Sequence, residues 1–360
     1  MEMRIAVMGD IVPGGMFLHM GGPTESLCSY LKGFDFRIAT LESAMGDSFE
    51  FCKLKMADPK KGNIIFSPDE SISLLKKMHI DAVTIANNHA CDNGREGLVH
   101  TIELLEREGI RFVGAGRNEE EARKPLVVEI KEKKLCFFAY YPSKMFAPYP
   151  PSCDVPGMNQ LIEECVLNDI REYKSKCDYV FILPHWGNEH RVFPDIMEVE
   201  LAGKFIAAGA DGVMGSHTHT IQPSKVRNNK VVALSMGNFC FPDRFIDTPR
   251  ITVYPDNALE LMNTAPRTYD YPLVKKLTYK VVPSKERWSL ICGIHIQDGK
   301  LKLERAYTYQ DMKMNVSLVQ LPMMKALILN IITFLAFGSF YQFVWKMLKK
   351  GAACLRRLKK

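Results

Sequence analysis

Among the ten cysteines of this 360-residue chain there is no CxxC pair, and nothing like a secretory signal stands ahead of them. Met-Glu-Met-Arg runs directly into the short apolar stretch Ile5 to Asp10, without a longer apolar region or a small-residue cleavage site. The cysteines are therefore expected as buried or free thiols in a reducing cytosol. No internal repeat is visible. An excess of one charge is also missing from most of the chain. The formal net charge is +6, but residues 346–360 hold seven Lys or Arg and no acid, so the remainder is nearly neutral. That leaves little basis for broad nucleic-acid binding. With 47% hydrophobic and 24% charged residues the chain is expected to fold around at least one sizeable core.

Long apolar runs are absent until the end. From Ala326 to Trp345 no charge occurs, a stretch of about 30 Å as a helix. Asn330, Thr333, Gly338, Ser339 and Gln342 dilute it. A single span would put the main domain and the basic tail on opposite sides, whereas both are expected in the cytosol. A helix lying in the interface beside anionic lipid satisfies both; the alternative is a helix docked on an apolar face of the domain or of a partner. Residues 321–360 are accordingly expected to form a membrane-contact helix and tail on the cytoplasmic side.

What is present is alternation. Ile5–Met8, Arg37–Leu41, Ala82–Ala86, Leu126–Ile130, Leu135–Tyr140, Tyr179–Leu183, Gly212–Met214 and Val231–Ser235 read as strands. Pro68–His79, Gly94–Glu108, Gln160–Tyr173 and Met197–Ala208 have helical spacing, with Ser67 as N-cap of the first. This pattern predicts an α/β fold over residues 1–310. Residues 143–157 read as a long loop, residues 241–286 as an irregular insertion, and Ser289–Gln297 with Lys300–Tyr307 as a hairpin across Asp298-Gly299.

Metal-capable side chains stand just after five of the predicted strands: Gly9-Asp10, Leu41-Glu42, Asn87-Asn88-His89, Pro184-His185-Trp186-Gly187 and Gly215-Ser216-His217-Thr218-His219. Strand ends in such sheets gather at one rim. A carboxylate can bridge two cations, an amide oxygen adds a neutral ligand, and imidazoles suit Zn, Fe or Mn. Two ions roughly 3.5–4 Å apart can lower the pKa of a water and clamp the oxygens of a displacement. His217 and His219, two residues apart, would point to one side of an extended segment. Alone, each histidine is more often structural than a ligand, and His79, His100 and His295 are read that way.

Taken in order, Gly9-Asp10-Ile11, Leu41-Glu42, Asn87 to Gly94, His185 to Glu189, Gly209-Ala210-Asp211, Gly215 to His219 and Ser235 to Phe239 resemble the capsule synthesis protein CapA family. That family includes the PgsA component of poly-γ-glutamate synthesis. The resemblance covers roughly residues 3–242. It implies a metallophosphatase-like β-sandwich flanked by helices, similar to calcineurin-like phosphoesterases, here with a C-terminal hydrophobic helix. It implies one or two divalent cations: Glu42 in the bridging position, Asn88, His185 and His217 completing one site, Asp10 and His219 serving the other. His89 matches the histidine that contacts the scissile phosphate or protonates the leaving group, with Asp92 orienting it. Asn87, Glu189 and Asn238 are expected to bind substrate. Where phosphoesterases place a His two residues after the first Asp, this chain has Val12, which weakens the first site. The resemblance thus implies either a hydrolase acting on an envelope polymer or its phosphorylated precursor, or a non-catalytic subunit that binds anionic polymer alongside capsule-assembly proteins.

Overall fold

The computed structural model describes residues 2–47, 50–57, 62–142, 149–338, 341, 343 and 345–347. Among them two large sheets lie face to face. The nine-stranded sheet has Met3–Ile11 at its centre, parallel to Phe36–Leu41, which is followed outward by Ala82–Thr84 and Arg111–Val113. On its other side Met3–Ile11 runs antiparallel to Trp288–Gln297 and parallel to Asn238–Cys240. The six-stranded sheet runs Ser224–Arg227, Lys230–Ala233, Gly212–Met214, Tyr179–Pro184, Lys133–Tyr140, Leu126–Ile130. Its four central strands are parallel.

Alternation along Lys133–Tyr140 shows how the sandwich is glued. Leu135, Phe137 and Ala139 enter the core shared with the first sheet, where the Phe137 ring lies 5.3 Å from Phe36 and 5.2 Å from Phe181. Cys136, Phe138 and Tyr140 face the other way and bury Val166 and Ile170 of the helix Glu163–Lys174 with Leu201, Ala202 and Phe205 of the helix Ile196–Ala208. Each fully buried Leu, Ile, Val or Phe among them contributes about 1.5–3 kcal/mol. Leu27, Leu31, Leu75, Leu98, Ile102 and Leu105 bring three further helices onto the first sheet's core. The helix Ile196–Ala208 starts with a capping box between Asp195 and Glu198.

Several expectations change. Ser67 caps no helix: it lies in the strand Phe66–Ser67, where its hydroxyl accepts from Gly14 N–H (3.1 Å) and pairs with Ser43 (2.7 Å), and Pro68 takes the cap position of a 3-10 turn. The hairpin is present with Gln297 opposite Lys300, extended to Trp288–Gln297 and Lys300–Gln310. Residues 241–286 are not irregular. They form a four-stranded sheet, Ile251–Val253, Arg244–Asp247, Thr278–Lys280, Arg267–Thr268, around Phe245, Ala258 and Tyr279. The missed signal was a run of two- to four-residue strands separated by prolines. At the end of the chain, the helix Met323–Ala336 begins three residues before the uncharged run and ends well within it, at Phe337-Gly338. Among the described residues no helix is long and apolar enough to cross a membrane. The segment 143–148 of the proposed loop and residues 348–360 of the basic tail lie outside the described residues.

Candidate metal centre

Six side chains converge where the C-terminal strand ends of the two sheets meet. Asp10 is near the end of Met3–Ile11, Glu42 just past Phe36–Leu41, Asn88 in the turn after Ala82–Thr84, His185 after Tyr179–Pro184, and His217 and His219 in the bend after Gly212–Met214. None is more than 7% exposed. One ligand atom each from Glu42, His185 and His217 lie within 4.8 Å of one another, and so do those of Asp10, Glu42 and His219. Asn88 joins the first group through Oδ1, 2.8 Å from His185 Nε2, and His217 Nδ1 is 3.1 Å from the same nitrogen.

The surrounding hydrogen bonds aim these groups. Thr40 Oγ1 donates to Ser216 Oγ (3.1 Å), which lies 2.9 Å from His185 Nδ1. With Ser216 receiving the Nδ1 proton, the Nε2 lone pair of His185 faces Glu42 and Asn88. Asp10 Oδ2 accepts the His217 backbone N–H at 3.1 Å. Asp10 Oδ1 and both Glu42 oxygens receive no hydrogen bond among the described residues. Burial pushes both carboxyls above their ordinary range, and the charge of Asp10 raises Glu42 further. Burial, reinforced by neighbouring imidazoles, holds His185, His217 and His219 well below the usual range for histidine. Orphaned carboxylate oxygens packed against neutral imidazole lone pairs form a set that a divalent cation satisfies at once, so the residues present fit one or two such ions.

The histidine pair converges by a route different from the one expected. The segment is not extended: His217 (φ 93°) and His219 (φ 57°) both occupy left-handed backbone conformations, with ring centroids 6.2 Å apart. Such conformations in non-glycine residues are sparsely populated and here turn both rings inward. The chain is equally crowded at Gly9, where a Cβ would lie 1.9 Å from the Gly237 carbonyl oxygen.

Beside this centre, His89 Nδ1 is 2.6 Å from Asp92 Oδ2, so Asp92 takes the Nδ1 proton's hydrogen bond and leaves Nε2 as the free nitrogen. Lys55 completes the cluster. Its ammonium pairs with Asp92, donates to the Asn88 carbonyl at 2.8 Å and lies 3.2 Å from His89 Nδ1. Burial, then Lys55, brings His89 down to about 4, so its resting imidazole is neutral. Lys55 was invisible in the sequence, because a single lysine 37 positions from its partner has no pattern.

His89 and Asn88 open onto a cavity of about 450 Å³ also lined by Lys55, Glu189, His190, Arg250 and Tyr271. Glu189 lines the cleft. Asn87 does not: its side chain donates to the Leu41 carbonyl (2.8 Å) and accepts the His89 N–H (3.0 Å), tying the turn to the Glu42 strand. Asn238 stands at the Asp10 end, its Oδ1 2.9 Å from His219 Nδ1. Val12 is buried in an apolar cluster with Ile65, Phe241 and Val282.

A family model described as bacterial capsule synthesis protein PGA_cap matches residues 4–243. The PGA biosynthesis protein CapA of Bacillus subtilis (strain 168) is 30% identical over 172 residues, covering 48% of this chain and 45% of that protein. The capsule biosynthesis protein CapA of Bacillus anthracis is 25% identical over 177 residues, covering 48% and 43%. The chain spans about half the length of the curated relatives it matches. Among solved structures, NAD nucleotidase of Haemophilus influenzae aligns with a TM-score of 0.44 at 9% identity, over 92% of this chain and 55% of that one.

Proposed function

Since the chain belongs to the bacterial capsule synthesis protein family described as PGA_cap, we propose that it serves capsule or poly-γ-glutamate production as a metal-dependent hydrolase of metallophosphatase type. The observation that carries this reading is Glu42: it is common to both donor groups, and neither of its buried oxygens has a hydrogen-bond donor among the described residues. A shared carboxylate is what a paired-cation site requires. Asp10, Glu42, Asn88, His185, His217 and His219 would hold the ions. Bound there, divalent cations supply a water of lowered pKa and offset charge on the scissile group.

The remaining work falls to the protein's own groups. His89, held through Nδ1 by Asp92, presents Nε2 towards the cleft and rests neutral. An anionic phosphoryl group beside it favours the imidazolium, so the substrate itself loads the proton that His89 returns to the leaving oxygen. Lys55 pairs with Asp92 and holds it in place. Glu189 lines the same cavity.

Val12 supports a second reading. With an apolar residue where phosphoesterases have a histidine, the Asp10 and His219 side is short of a ligand, as suits a subunit that binds anionic polymer without cleaving it. Metal analysis of the purified protein, with p-nitrophenyl phosphate and diester assays in Mn, Zn and Mg, separates the two. Turnover that His89→Ala abolishes while metal is retained supports the hydrolase. Metal without turnover, unchanged by His89→Ala, sinks it in favour of the binder.

The C-terminal helix supplies the attachment in this reading. Ile332 and Ala336 of Met323–Ala336 are buried, whereas Met323 and Phe334 are 84% and 80% exposed and Met324, Leu327 and Ile331 more than half. An apolar face followed by seven basic residues in 346–360 suits the interface of an anionic bilayer. Co-sedimentation of the full chain, but not of one lacking 323–360, with phosphatidylglycerol vesicles is the expected result; equal recovery of both would refute it.

A further inference from the structure

Arg244 opens the first strand of the small sheet formed by residues 244–280 and is 1% exposed. A buried guanidinium normally has a carboxylate or a full set of carbonyls around it. This one does not. Nη1 donates to the Pro242 carbonyl at 3.3 Å, while Nε and Nη2 have no partner among the described residues. The adjacent acid is already engaged, since Asp243 is bound by Arg287 Nη2 at 2.6 Å and accepts the Val282 N–H at 2.8 Å.

The position of Arg244 connects it with the metal donors. Its guanidinium lies 5.0 Å from the Phe241 ring, and that ring lies 5.0 Å from His219. Tyr271, which lines the cavity, has its ring 5.3 Å from the same guanidinium. Lys280 Nζ lies 4.5 Å from the same tyrosine ring and donates to the Tyr269 carbonyl at 2.7 Å, so a second buried cation stands behind Tyr271. Glu42 and Arg244 feel each other's charge yet form no ion pair among the described residues. Two aromatic rings lie within 5.3 Å of the guanidinium carbon, and Nε and Nη2, the two nitrogens of one edge, meet no acceptor among the described residues.

We propose that Arg244, supported by Lys280, is an oxyanion subsite that holds a phosphoryl or carboxylate group of the substrate next to the Glu42 centre. The planar fork of arginine matches both oxyanions in bidentate fashion, which an ammonium cannot do. The subsite explains the two unmet donors, and it gives the small sheet a role in reading the substrate. The choice of ligand rests on the reading of this cleft as one that handles phosphoesters or anionic polymer; the binding test does not depend on turnover.

Calorimetry on the metal-loaded full chain, with inorganic phosphate in one arm and γ-linked diglutamate in the other, tests it. At least one probe is expected to bind, and Arg244→Met is expected to weaken that binding tenfold or more with metal content unchanged. Arg244→Lys keeps the charge and removes the fork; it is expected to fold and still lose most of the affinity, so the test survives if the Met variant is unstable. The arm that binds identifies the anion. Failure of both probes, or equal affinity in folded variants, overturns the subsite. An absence of hydrolysis under every metal, with Arg244-dependent binding intact, would instead overturn the hydrolase reading alone.

Discussion

Lys55 and Asp92 form an ion pair whose side chains are 2% and 1% exposed, directly beneath His89. Removing the cation leaves a buried carboxylate without its charge partner. Lys55→Met should therefore cost about 3–5 kcal/mol of stability. Chemical denaturation measures this, and a loss below about 1 kcal/mol would show the pair to be incidental.

Glu42 belongs to both donor groups, Asp10 to one. Elemental analysis after metal loading should find metal lost altogether in Glu42→Gln and only partly in Asp10→Asn. Equal stoichiometry in the two variants would mean that the ions do not share Glu42.

Two glycines make a controlled pair. Gly9→Ala sets a methyl 1.9 Å from the Gly237 oxygen and should cost about 1–3 kcal/mol or more, with weakened metal binding. Gly203 sits exposed in the helix Ile196–Ala208 with nothing within 4 Å of a Cβ, so Gly203→Ala should add about 0.5–1 kcal/mol. Thermal melts compare them.

Glu198 sets a pH dependence. Its Oε1 accepts the Asp195 N–H at 3.0 Å, Oε2 has no partner among the described residues, and burial raises the carboxyl from 4.5 to about 8. The folded state thus keeps a proton that the unfolded chain releases. The stability this gives is complete below about 4.5 and lost as pH climbs through about 8. Relative to Glu198→Gln, the wild-type melting temperature should fall across that window, by the equivalent of a few kcal/mol at the alkaline end. A gap that stays constant from pH 5 to 9 would exclude Glu198 as its source.

Much of this architecture was legible because strand-end polar residues and apolar alternation are local signals. Asp10, Glu42, Asn88, His185, His217 and His219 each follow a recognisable strand, and the sheet order brings the strand ends together. What escaped depends on distant partners. Lys55 matters only because Asp92 folds against it, and Arg244 only because no acid does. Asn87 was expected to bind substrate on the family resemblance, yet its amide donates to the Leu41 carbonyl. The left-handed bends at His217 and His219 run against residue preference and are imposed by the tertiary fold.

The central position of Met3–Ile11 has a consequence for synthesis. Its neighbours include Asn238 opposite Asp10 and Cys292 opposite Val7, so the strand is completed by strands more than two hundred residues further along the chain. Closure over such sequence distances is slow, and the nascent chain must wait with Asp10 unpaired on one flank. The centre is therefore assembled late and as a whole. A chain ending before Trp288 should retain no metal, so an interrupted translation product would be silent and not half-active.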